Sequence, residues 1–183
     1  RSVGTGGRLT GIATALGQAR GVPLVLAPSP ETLAAWSARA EDDATAASGI
    51  AAVRSAAGTQ QVLTAPYVPI DGPSLTTAGL GDEVGAQLAQ GEDTLDSVLD
   101  TRVDPRTSAL APLDAATLDR LQLSQVDRLL VAPGAVAQPA EPNQFTPAHP
   151  FTIESNGKRF AAVESNADLS ALLNRAGAPA LRA

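Results

Sequence analysis

Glu31, Asp71 and Asp114 are the side chains whose type and position suit chemistry, because each falls just after an apolar, strand-like run. Two carboxylates flanking a sugar bond are what glycoside hydrolysis requires, one as acid and one as nucleophile or base. Tyr67 adds a ring that stacks on a sugar or a hydroxyl that donates to one. The same positions also suit plain structural duties. Glu31 and Asp114 stand where an acid at a helix start is stabilised by the dipole, and Asp71, ahead of Gly72-Pro73, suits a turn.

Other chemistries fall away residue by residue. With no cysteine, disulfides, thiol catalysis and thiolate metal sites are excluded. His149 is the only histidine, and a zinc site built from His and carboxylates usually needs two or more. It lies between prolines and reads as a solvated loop residue; Ser-His-Asp catalysis also lacks a Gly-x-Ser-x-Gly elbow. Gly4-Thr-Gly-Gly7 is glycine-rich like a phosphate loop, but Arg8-Leu9 occupies the place of the required Lys and Ser or Thr. No metal and no cofactor are expected. Trp36 shares the apolar spacing of its helix with Leu33 and reads as core rather than as a sugar platform. Glu92, Asp93, Asp96 and Asp100 read as a solvated helix face.

The elements that must position these residues alternate. Leu9, Ile12, Ala13 and Leu16 have helical spacing, closing near Gly21. Val22 to Ala27 is apolar on both faces, as a buried strand is. Pro28-Ser-Pro-Glu31 opens a helix through Trp36, and a second helix follows from Ala44 to Ala57 beyond Glu41-Asp-Asp43. Gln61 to Ala65 is the next strand, with helical pattern resuming near Ser74. Leu80 to Gln90 and Thr94 to Leu99 read as helices broken at Gly91, and Ala109 to Pro112 as a short strand. A capped helix from Asp114 and a strand from Val126 to Ala132 follow. Segment 133–150 holds five prolines and is too long for a simple connector. Phe151 to Ser155, Asn156-Gly157 and Lys158 to Val163 form a hairpin on a type I′ turn. A last helix is expected from about Ala167 to Arg175. The pattern implies one α/β domain over 8–175, with a mostly parallel sheet, flanking helices and a C-terminal β-hairpin, between flexible ends at 1–7 and 176–183.

A chain of 183 residues with 44% hydrophobic and 17% charged side chains is enough for one core. Its net charge of −6 disfavours a nucleic-acid partner and an anionic membrane surface. No apolar stretch of about 20 residues is present, so direct membrane insertion by this segment is not expected. The absence of Met suggests a domain excised or processed from a larger protein.

Several of these stretches together resemble a known family. They are Pro23-Leu-Val-Leu-Ala-Pro-Ser-Pro-Glu-Thr-Leu33, Thr64-Ala-Pro-Tyr67 with Asp71 and Leu75, and Gly79-Leu-Gly-Asp-Glu83 running into Gln87 and Gly91. Leu113 to Val131 and Val163-Glu-Ser-Asn-Ala-Asp-Leu-Ser-Ala-Leu172 fit as well. The chain is similar to an uncharacterised actinobacterial family of secreted, membrane-anchored cell-envelope proteins. The extracytoplasmic part of that family resembles the incomplete (β/α) barrels of polysaccharide deacetylases and family-57 glycoside hydrolases. The resemblance implies an envelope location within a larger membrane-anchored protein and a partial or open barrel-like fold, and it transfers no activity. Deacetylase chemistry needs an Asp and two His for its metal, which a lone His149 does not supply. The leading expectation is a non-catalytic interaction or glycan-binding domain, with a cell-wall glycan or an envelope protein as partner and Glu31, Tyr67, Asp71 and Asp114 as the ligand face. A carbohydrate-active hydrolase using two of those acids is the alternative, and a structural spacer the third.

Overall fold

The computed structural model describes residues 7–18, 22–133, 135 and 149–166. The glycine run ahead of Gly7, most of the Pro-rich segment and the expected last helix lie outside the described residues.

The chain alternates helix and strand: α1 (Arg8–Gln18), β1 (Val25–Leu26), α2 (Pro30–Arg39), α3 (Ala44–Ala57), β2 (Gln61–Thr64), α4 (Gly72–Thr77) and α5 (Gly81–Leu99). Then come β3 (Asp104–Ser108), α6 (Ala115–Leu123), β4 (Arg128–Val131), β5 (Phe151–Ser155) and β6 (Lys158–Glu164). The six strands form one sheet in the order β1-β2-β3-β4-β6-β5. Every pairing is parallel except the β5–β6 hairpin. The sheet does not close into a barrel.

The first four strands are neighbours in chain order, and right-handed crossovers between such neighbours send every helix to the same side. Two apolar clusters form between those helices and the sheet. One gathers Leu33 and Trp36 of α2, Ile50 and Val53 of α3, Val62 of β2, and Leu95 and Leu99 of α5. The other gathers Val84 and Leu88 of α5, Leu118 and Leu121 of α6, Leu129 of β4 and Phe160 of β6. Helix α5 contributes to both, so it is the beam that joins the two halves. Trp36 is 3% exposed and its indole lies against Gly49, which places it in the core.

Three expectations are corrected. The first strand covers only Val25–Leu26, because Val22 and Leu24 are instead held by the Gln60 side chain, which donates to the Val22 carbonyl and accepts from the Leu24 N–H. The third strand is Asp104–Ser108 rather than Ala109 to Pro112; the latter is the loop beyond it, with a cis Ala111–Pro112 bond. Helix α5 runs unbroken through Gly91, where a β-carbon would stand 1.9 Å from the Ala65 carbonyl oxygen. The glycine is therefore a contact point, not a break. The hairpin turn is as expected, with positive φ at both Asn156 (50°) and Gly157 (73°).

Candidate functional site

In a parallel sheet flanked by helices, ligands gather at the carboxyl ends of the strands, where the loops are free to vary. Here that rim is built from 27–29, 65–71, 109–114 and 132–133. Each of these four loops carries Ala-Pro: Ala27-Pro28, Ala65-Pro66, Ala111-Pro112 and Ala132-Pro133. Three of the pairs, Ala27-Pro28, Ala65-Pro66 and Ala132-Pro133, follow directly on the last residue of their strand, where a missing N–H stops the ladder, and Ala111-Pro112 lies in the loop three residues beyond β3. This recurrence marks the rim, and it was readable in the sequence as a single repeated signal.

The structure places the four expected site residues on this rim in two pairs. The Glu31 N–H donates to the Tyr67 carbonyl at 3.2 Å, which ties the start of α2 to the loop after β2. The Tyr67 N–H in turn donates to the Gln87 carbonyl of α5 at 2.9 Å, and the side-chain oxygen of Gln87 accepts from Val68 at 3.3 Å. The second pair forms where α4 meets α6. A β-carbon on Gly72 would stand 2.5 Å from the Thr117 methyl, so only glycine lets the two helix starts, and with them Asp71 and Asp114, come this close.

Both aspartates are helix caps. Asp71 Oδ1 accepts from the Ser74 N–H at 2.9 Å and begins α4. Asp114 Oδ1 accepts from the Thr117 hydroxyl at 2.6 Å and from the Thr117 N–H at 2.7 Å. Those bonds, the hydroxyl first and then the amide, hold the Asp114 carboxyl below its ordinary range. A general acid needs the opposite shift. Glu31 sits in the first turn of α2, whose cap is Ser29.

Between the loops after β1, β2 and β3 lies a crevice of about 240 Å³, lined by Ala27, Ser29, Pro66, Ile70, Leu110 and their neighbours. No ionisable side chain lines it; Ser29 and Thr64 supply its hydroxyls. The acids flank a neutral, small-walled hollow, and the rim loops carry no Lys or Arg.

The remaining candidates are placed elsewhere. His149 is exposed ahead of β5. The acidic run on α5 is more than a solvated face: Asp96 Oδ1 accepts from the Val103 N–H at 2.8 Å and fixes the turn into β3. Glu92 is half-buried, and desolvation, reinforced by Asp96 and Asp93, raises its pKa. Glu164, not singled out in the sequence, is buried at the C-terminal end of β6 beside Val131; alternation with Phe160 and Ala162 was the signal for its inward face. Among the described residues no group of three His, Cys, Asp or Glu is placed to hold a metal ion, and no helix is long and apolar enough to cross a membrane. No protein-family model matches the chain, and no curated protein matches it.

Proposed function

We propose that this is a non-catalytic extracytoplasmic interaction or glycan-binding domain of a cell-envelope protein, taking its ligand at the carboxyl-end rim of the sheet. One observation carries the reading: the crevice on that rim is walled by alanine, proline and aliphatic side chains with no titratable group in it. A neutral concave site with two hydroxyls suits binding by shape and a few polar contacts. The nearest aspartates each commit an oxygen to a helix start, and the Thr117 hydroxyl and amide lower the Asp114 pKa, the opposite of what a general acid needs. The resemblance to the actinobacterial envelope family supports the location. The acidic, Lys- and Arg-free rim favours a neutral or cationic glycan, or an amine-bearing peptide, over polyanions.

The test is retention of the purified chain on isolated actinobacterial cell wall, with Glu31→Gln and Asp71→Asn alongside and soluble sugar assayed in the same tubes. Retention without sugar release, weakened about tenfold by loss of either charge, is the expected result. Sugar release abolished by either substitution would make the domain a hydrolase with paired carboxylates. Neither retention nor release would leave a spacer.

A further inference from the structure

On the helix side of the sheet a smaller hollow, of about 170 Å³, lies between α5, the end of β2 and the turn from α6 into β4. A β-carbon on Gly85 would stand 3.2 Å from the Ser124 hydroxyl oxygen, so glycine is what keeps α5 and the end of α6 this close. Gln125 takes a left-handed φ of 66°, and the Val126 N–H returns to the Leu121 carbonyl at 3.0 Å, which turns the chain sharply at the hollow's edge. Leu88, Pro105 and Val126 give the hollow its apolar wall.

Two polar groups in this wall have no partner in the fold. Thr64 is 3% exposed and shares the helix side of β2 with Val62, and its hydroxyl has no hydrogen-bond partner among the described residues. The half-buried Glu92 lines the same hollow from α5, and its carboxylate forms no hydrogen bond or ion pair among the described residues. Desolvation first, then Asp96 and Asp93, raise its pKa, and the exposed Arg102 only partly offsets them. Other cations are committed elsewhere: Arg120 pairs with Asp82, and Arg106 with Asp127. The hollow also faces the C-terminal end of α6, where the helix dipole favours positive charge.

We propose that this hollow binds a primary alkylammonium group. An ammonium carries three donors and no acceptor. The Glu92 carboxylate, the Thr64 hydroxyl and the Ser124 hydroxyl are acceptors on the wall; Ser124 donates its proton to the Arg120 carbonyl at 3.2 Å, which leaves its lone pairs to accept. The alkyl stem packs on Leu88, Pro105 and Val126. A calcium ion fits poorly, because it takes about six to eight oxygen ligands, and no group of three His, Cys, Asp or Glu among the described residues is placed to hold a metal.

The test is a titration of the full chain with ethylammonium chloride at constant ionic strength, followed by the amide resonances of Ser124 and Gln125. Saturating shifts are expected, with a dissociation constant of about 10 mM. Glu92→Gln keeps the shape and removes the charge, and should weaken binding about tenfold or more. Thr64→Val removes a hydroxyl that the fold itself does not use, and should weaken it about threefold. Glu41→Gln, at an exposed acid between α2 and α3, should leave binding unchanged. Tetramethylammonium, with the same charge and no N–H, should not saturate. Absence of saturation by ethylammonium, an equal response to tetramethylammonium, unchanged affinity in Glu92→Gln or Thr64→Val, or equal weakening in Glu41→Gln would each overturn the proposal. Cell-wall retention tests the rim and ethylammonium tests this hollow, so either proposal can fail alone.

Discussion

Asp71 and Asp114 each place one carboxylate oxygen on the backbone of the helix they begin, so charge and capping are separable by substitution. Asparagine caps nearly as well as aspartate, whereas alanine does not. Asp71→Ala is therefore expected to cost about 1 kcal/mol in a denaturant titration and Asp71→Asn only a few tenths. A loss of cell-wall retention in the asparagine variant then reports charge rather than unfolding. The two shifted acids give opposite pH signatures. Asp114 has a folded-state pKa below its unfolded value, so its stabilisation is complete above the unfolded pKa and lost as pH falls through the folded one. Glu92 is raised, chiefly by burial, so its ionisation costs stability as pH rises through the carboxylate range. Glu92→Gln should accordingly raise Tm by about 1–3 °C at pH 7 and leave it unchanged at pH 3, a comparison that thermal melts at the two pH values settle.

At the scale of elements, helix α5 shows how a packing constraint defeats a propensity argument. Alanine in place of glycine in a helix interior normally gains about 1 kcal/mol. At Gly91 the added carbon would meet the Ala65 carbonyl oxygen at 1.9 Å, and that oxygen is backbone at the root of a rim loop. Gly91→Ala should instead destabilise by about 3 kcal/mol or more, read from the denaturation midpoint. The sequence presented this glycine as a gap between two helices, since nothing local distinguishes a break from a close approach. Strand β3 was hidden for a related reason. Asp104-Pro-Arg-Thr-Ser108 has one fully buried side chain, and its order comes from neighbours on both sides and from the Gln61, Thr107 and Arg128 contacts of Asp104. The apolar residues that follow, Ala109 to Ala111, belong to the loop. Legible elements were those with their own signal: the Pro-led, Ser-capped start of α2, the Asp114 cap of α6, the Leu129-Leu-Val131 core of β4 and the Asn156-Gly157 turn. The rim acids were legible as positions after strands. Their pairing was not, because it depends on Gly72 meeting Thr117 across the fold.

At the scale of the molecule, the two apolar clusters share no residue but share α5, which gives Leu95 and Leu99 to one and Val84 and Leu88 to the other. A rigid helix rooted in both clusters cannot lose its packing at one end and keep it at the other without exposing its own apolar stripe. The domain should therefore unfold as one unit. Trp36 is the chain's only tryptophan and lies wholly in the first cluster, so its fluorescence reports that half alone. Leu121 is fully buried in the second cluster. Leu121→Ala is expected to cost about 2–5 kcal/mol. If α5 couples the halves, the Trp36 fluorescence midpoint falls together with the far-ultraviolet dichroism midpoint, by roughly 5–15 °C. A fluorescence midpoint left in place while dichroism shifts would mean that the halves unfold separately. The rim crevice draws on both halves, taking Ala27 and Ser29 from the start of α2 and Leu110 from the loop that leads to α6. Only a cooperative unit holds those walls at a fixed separation. A ligand that bridges them should raise both midpoints equally, and a ligand that touches one wall should do the same through α5.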